Sequence, residues 1–164
     1  MTINNTSLTD KFILFLATGF NSGYSPIAPG TMGTIVALVA FLFLQQLPVW
    51  LYAVILISAS LIGIAICNKA DQLLKTHDNK AIVWDEFCGL WLTLFMAPSG
   101  WQAMVVGFLL FRLFDIAKPF PISLIDRAVP GGLGVMLDDL VAGAFALVIL
   151  QSLYHWNILP LSFS

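Results

Sequence analysis

This 164-residue sequence carries nine Asp/Glu and seven Lys/Arg side chains, and five of the acids stand where charge is expensive. Asp85 and Glu86 interrupt the apolar, aromatic run Ile82-Val83-Trp84-Asp85-Glu86-Phe87-Cys88-Gly89-Leu90-Trp91. Asp115 follows Leu113-Phe114, and Asp138-Asp139 lie inside Val135-Met136-Leu137-Asp138-Asp139-Leu140-Val141. An ionised carboxylate is costly to bury without partners, and inside a membrane segment it marks a functional site by default. Gathered in one place, the five would repel one another. A hard divalent cation, Mg²⁺ or Mn²⁺, relieves that repulsion, and Mg²⁺ sites combine one or two carboxylates with substrate phosphate. The plainer alternative is that Asp138 or Asp139 caps a helix while Asp115 pairs with Arg112 or Lys118.

The bases closest to these acids are Arg112, Lys118 and Arg127, and a guanidinium suits bidentate phosphate recognition. Counterion duty or snorkelling is the competing reading for each. Two backbone-rich stretches precede expected helix starts: Asn21-Ser22-Gly23 through Gly30-Thr31-Met32-Gly33, and Gly131-Gly132-Leu133-Gly134. Free N–H groups at such positions favour an anion, which makes Asn21, Ser22 and Thr31 candidate phosphate contacts, although turns and caps explain the glycines equally well. His77 lies in the most polar loop and reads as solvated. Cys67 and Cys88 read as small hydrophobes without metal-ligand spacing. A Cys-x5-Arg loop, an Asp-x-Asp-x-Thr motif and a G-x-S-x-G elbow are all absent from the sequence. For hydrolysis, water activated by a metal is then the simplest route.

The elements that must position these residues follow from composition. The chain is 59% hydrophobic and 10% charged, with mean hydropathy +0.92, against roughly 45–50% and 25% in soluble domains. These values imply one membrane-embedded domain over residues 1–164 and offer no basic stripe for nucleic acid. Met1 to Asp10 lacks the basic start of a secretory signal. Apolar runs predict helices over Met32–Leu47, Pro48–Cys67, Ala81–Ala97, Trp101–Ala117 and Val135–Trp156. Lys11–Phe20, too short to cross a core of about 30 Å, is expected to lie at the interface. Asn68–Lys80 and Lys118–Gly134 read as loops. The expectation is an all-α polytopic bundle with four to five membrane-embedded helices and a short N-terminal interfacial helix. Alternating crossings put every Lys, Arg, Asp and Glu toward one side, which the positive-inside rule makes cytoplasmic. Trp50, Trp101 and Trp156 then form an aromatic belt at the other.

Several of these stretches together resemble a known family. Ser25-Pro26-x-x-Pro29-Gly30-Thr31-x-Gly33 and Val83-Trp84-Asp85-Glu86-Phe87-x-Gly89-x-Trp91 are similar to phosphatidylglycerophosphatase A. So are Phe111-Arg112-x-x-Asp115-x-x-Lys118-Pro119-x-Pro121, Asp126-Arg127 and Gly131-Gly132-x-Gly134-x-Met136-x-Asp138-Asp139-x-x-Ala142-Gly143. The likeness runs from Gly19 to Gly143. It implies a bacterial inner-membrane, Mg²⁺-dependent lipid phosphatase that hydrolyses phosphatidylglycerophosphate to phosphatidylglycerol and phosphate. The family's acidic positions correspond to Asp85, Glu86, Asp115, Asp138 and Asp139. On this reading Glu86, Asp115 and Asp139 are expected to hold Mg²⁺. Asp85 or Asp138 would orient or deprotonate water, and Arg112 and Lys118 would balance phosphate charge. The signature of CDP-alcohol phosphatidyltransferases is absent. The alternative outside enzymology is a cation or proton transporter using the same acids, disfavoured by the apolar helix halves near Pro48, Pro98 and Trp156.

Overall fold

The computed structural model describes residues 7–75 and 79–158, and among these the only regular secondary structure is helical. The helices are α1 (Leu8–Ala17), α2 (Pro29–Leu44), α3 (Val49–Leu74), α4 (Trp84–Thr93), α5 (Trp101–Ala117), α6 (Ile122–Ala128) and α7 (Gly131–His155), with a 3₁₀ turn at Ser22–Tyr24. His77, expected to be solvated, lies outside the described residues. Two helices, α3 and α7, are long and apolar enough to cross a membrane, and α2 is a shorter apolar helix. Only 22% of the apolar window of α3 is buried inside the molecule. A soluble protein's core helix would be mostly covered, so this surface is built for an apolar surrounding.

Helix α7 is the centre of the bundle, packing on α3, α4, α5 and α6. It starts at Gly131, four residues earlier than its apolar run suggests. Gly132 explains the difference, because a Cβ there would fall on the Ile64 carbonyl oxygen of α3. The glycines therefore continue the helix against a neighbour's backbone and are not a loop. As a result Asp139 stands eight residues into α7, about 12 Å from its start, and not in the first turn.

The short helix α4, about 15 Å long, is pinned from all sides. Val83 N–H donates to the Ala17 carbonyl at 2.9 Å, which ties its entry to the end of α1. The Trp84 indole donates to the Ala59 carbonyl at 3.2 Å and the Trp91 indole to the Ala37 carbonyl at 3.0 Å. At its far end the Tyr52 hydroxyl donates to the Trp91 carbonyl at 2.7 Å. The Gln151 amide donates to the carbonyls of Phe95 and Met96 at 3.2 and 3.0 Å. These bonds satisfy backbone oxygens that a helix end leaves open. The core between includes fully buried Phe87, Leu90, Leu94, Phe111 and Leu150. Trp50, Trp101 and Trp156 are exposed at the helix ends remote from the acids.

Candidate active site

Two crossings bring the acids together. Helices α4 and α7 touch through Gly89 and Gly143, where a Cβ on either would overlap its neighbour: Phe111 and the Asp139 carbonyl for Gly89, the Gly89 carbonyl for Gly143. The Thr93 hydroxyl spans the contact, 2.9 Å from the Gly89 carbonyl and 3.3 Å from that of Gly143. Asp85 and Asp139 each precede their glycine by four residues, one helical turn, and so share the face that meets. The second crossing sets α2 beside α4. Gly30 lets Glu86 and Arg112 approach, since a Cβ there would overlap Glu86 Oε1 and lie 3.2 Å from Arg112 Nη1.

The result is one cavity of about 670 Å³. It is walled by the starts of α2, α4 and α7 and the end of α5, and Asp85, Glu86, Arg112, Asp115, Lys118, Asp126, Asp138 and Asp139 all line it. Every ion pair among the described residues lies here. Arg112 Nη1 bridges Asp115 Oδ2 at 2.6 Å and Glu86 Oε1 at 3.3 Å. The Thr34 hydroxyl sits 3.0 Å from Glu86 Oε2 and holds the other carboxylate oxygen. Lys118 Nζ bridges Asp126 and Asp138. Burial would by itself lower the Lys118 pKa; its hydrogen bonds to Asp126 and Asp138 more than reverse this and hold it above its ordinary value. Lys118 and Ala28, both at the cavity wall, have left-handed backbone conformations, φ 40° and 47°. For non-glycine residues such strain is concentrated at functional sites.

Three buried side-chain atoms among the described residues have no hydrogen-bond partner: Asp85 Oδ1, Asp139 Oδ2 and Arg112 Nε. All three residues line this cavity. Two are carboxyl oxygens and one is a guanidinium N–H donor. Buried polar atoms are nearly always satisfied, so orphans of this kind ask for a ligand. No three His, Cys, Asp or Glu side chains among the described residues already surround one point as metal ligands. A pair of carboxylate oxygens completed by water and substrate is nevertheless what Mg²⁺ ordinarily uses, so the donor set fits that ion.

Seven of the expected site residues are thus gathered: Asp85, Glu86, Asp115, Asp138, Asp139, Arg112 and Lys118. Glu86 and Asp115, expected as metal ligands, are engaged by Arg112. Asp138 accepts from Lys118 and, through Oδ1, from the Asp139 N–H at 3.0 Å. Arg127, Asn21, Ser22 and Thr31 are not among the residues that line the cavity. Arg127 is exposed on α6. Asn21 occupies a left-handed turn position, φ 71°, and the Ser22 hydroxyl donates to the Gly19 carbonyl at 2.7 Å. Sequence reasoning placed Gly30 in an anion-favouring stretch but not beside Glu86 and Arg112, and it did not single out Lys80 or the partnership of Asp126 with Lys118. The acid at 126 carried a signal only through the Asp126-Arg127 motif.

The family model described as Phosphatidylglycerophosphatase A matches residues 15–154. The chain belongs to that family. Members of the phosphatidylglycerophosphatase A family are phosphatases, and the cavity's acids and bases all fall within the matched span. The phosphatidylglycerophosphatase A of Escherichia coli (strain K12) is 43% identical over 143 residues, covering 86% of this chain and 83% of that protein. The phosphatidylglycerophosphatase A of Haemophilus influenzae (strain ATCC 51907 / DSM 11121 / KW20 / Rd) is 37% identical over 146 residues, 88% of this chain and 90% of that one. No solved structure matches the chain.

Proposed function

We propose that this protein removes the terminal phosphate of phosphatidylglycerophosphate, yielding phosphatidylglycerol and inorganic phosphate, with Mg²⁺ as cofactor. One observation carries the reading: the buried orphans Asp85 Oδ1, Asp139 Oδ2 and Arg112 Nε share a single cavity. Two bare carboxylate oxygens call for a cation and a bare guanidinium N–H calls for an oxyanion. A phosphomonoester with its metal supplies both.

Asp85 and Asp139 would hold the ion. When bound, a divalent cation acts as a Lewis acid on phosphoryl oxygen and eases deprotonation of water. Arg112, fixed in place by Glu86 and Asp115, donates from Nε to a phosphoryl oxygen. Asp138 has used two of roughly four lone-pair sites on Lys118 and the Asp139 N–H. It keeps capacity to take a proton from the attacking water. As the water oxygen bonds to phosphorus, the bond from phosphorus to the glycerol oxygen breaks, and that oxygen is protonated from solvent at the cavity mouth.

The substrate's acyl chains keep it in a bilayer, and a bacterial inner membrane with the cavity facing the cytoplasm is the location proposed here. The distribution of charge supports this orientation, because Lys11, Lys69, Lys75, Lys80, Arg112, Lys118 and Arg127 all belong to the cavity side of the alternating helices. Helices α2, α3, α5 and α7 would cross and α4 would complete the bundle as a shorter embedded element. The test is phosphate release from phosphatidylglycerophosphate by the full-length protein in detergent, with Mg²⁺ and with excess chelator. Release that needs Mg²⁺ supports the proposal. Inactivity in both conditions sinks it, and equal rates in both sink the metal part.

A further inference from the structure

Three cations line the cavity: Arg112, Lys118 and Lys80. The first two are each committed to two carboxylates. Lys80 makes no ion pair with any described residue and is exposed, in the segment that leads down from the surface into α4. The cavity, at about 670 Å³, lies within the range of roughly 300–1,000 Å³ typical of sites for whole small ligands, far more than one phosphate group needs. An exposed ammonium at the cavity wall, without an ion pair among the described residues, is suited to an anion that lies outside the reacting centre.

We infer that Lys80 receives the second phosphate of the substrate, the diester that joins glycerol to the diacylglycerol. The inference rests on the lipid-phosphatase reading and adds to it a determinant of substrate class: lipids with a diester phosphate behind the terminal monoester. A lysine suits the task, since its ammonium is a point charge on a flexible stem that can follow a headgroup whose depth varies. It also separates two jobs. Orphaned Arg112 Nε, Asp85 Oδ1 and Asp139 Oδ2 serve the phosphate that leaves, and Lys80 serves the one that stays.

The experiment compares full-length wild type, Lys80→Met and Lys80→Arg in detergent micelles with Mg²⁺. KM and kcat are measured on phosphatidylglycerophosphate, and inhibition constants for phosphatidylglycerol, which keeps only the diester, and for inorganic phosphate. Lys80→Met is expected to raise KM and the phosphatidylglycerol constant together by about tenfold, the scale of one charge-assisted contact. Its kcat and its constant for inorganic phosphate should move less than about twofold, and Lys80→Arg should recover most of the loss. An unchanged KM, a fall in kcat alone, or an equal weakening of inorganic phosphate overturns the inference while leaving the enzyme reading intact. Wild-type protein that releases no phosphate overturns both, and does so before any variant is made.

Discussion

Gly89 and Gly143 meet backbone to backbone where α4 crosses α7: a Cβ added to Gly143 would overlap the Gly89 carbonyl oxygen and stand 3.1 Å from its carbon. The separation of these two residues sets the separation of Asp85 and Asp139, each one turn away on the same face. Small residues at helix crossings are a common way to bring backbones close in membranes. Here the closeness also serves the chemistry.

Gly143→Ala should therefore damage turnover more than folding. Overpacking of this kind costs about 1–3 kcal/mol, whereas a displacement near 1 Å at a reacting centre costs on the order of 100-fold in rate. Thermal unfolding and phosphate release, measured in one detergent, give the two numbers. A variant that melts lower yet turns over normally would separate the crossing from catalysis.

Asp85→Asn and Asp139→Asn should each lower the rate by about 10³-fold, the several kcal/mol a metal supplies to a charged transition state, and raise the Mg²⁺ concentration for half-activity. Without Mg²⁺, neither should reduce the melting temperature, because each removes a buried charge oxygen that has no partner. The pair should be non-additive if both residues serve one ion, as proposed. Independent, multiplying effects would argue against a shared ligand role.

Arg112→Ala leaves Glu86 and Asp115, whose side chains are only 12% and 14% exposed, without their cation. Removing one partner of a buried pair costs about 3–5 kcal/mol, so the variant should unfold at clearly lower temperature. Adding Glu86→Gln should restore part of the stability and none of the activity. Recovery of both would mean that Arg112 only neutralises its neighbours.

Lys118 supplies a pH signature. Its pKa is raised in the folded state above the ordinary 10.5, so its contribution to stability is complete below pH 10.5 and is lost only as pH climbs through the folded value. The difference in melting temperature between wild type and Lys118→Met should then stay constant from pH 7 to pH 10. A difference that shrinks across that window would mean that Asp126 and Asp138 do not hold the ammonium.

How much of this was legible in the sequence depended on whether a cue was local. Trp101–Ala117 was readable to the residue because Gly100 precedes it and Lys118-Pro119 halts it. Helix α3 outran its reading, ending at Leu74 and not Cys67, because its last turns are polar and hydropathy stops before the helix does. Helix α4 is shorter than Ala81–Ala97, since α1, α3 and α7 decide its ends through Val83, Tyr52 and Gln151. Seven-residue α6 between two prolines is too brief to show a period, so its sequence resembles a loop. Five acids in apolar runs announced the site plainly. Thr34 beside Glu86 and Asp126 beside Lys118 did not, because each pairing exists only after distant helices pack. The loop at Asn21 and Ser22 looked like an anion cradle and is a turn that folds on the end of α1.

The Tyr52 hydroxyl on the Trp91 carbonyl of α4, and the Gln151 amide on the Phe95 and Met96 carbonyls just past it, close the end of that helix away from the acids. Phe87, Leu90, Leu94, Phe111 and Leu150 lie buried between the acids and the tryptophan end, and the hydroxyls buried among them, Thr93 and Tyr52, are bonded to backbone carbonyls. In the proposed reaction, freed phosphate would leave by the cavity mouth through which its lipid enters. In the proposed orientation, the way the chain inserts would decide which compartment recovers the ion.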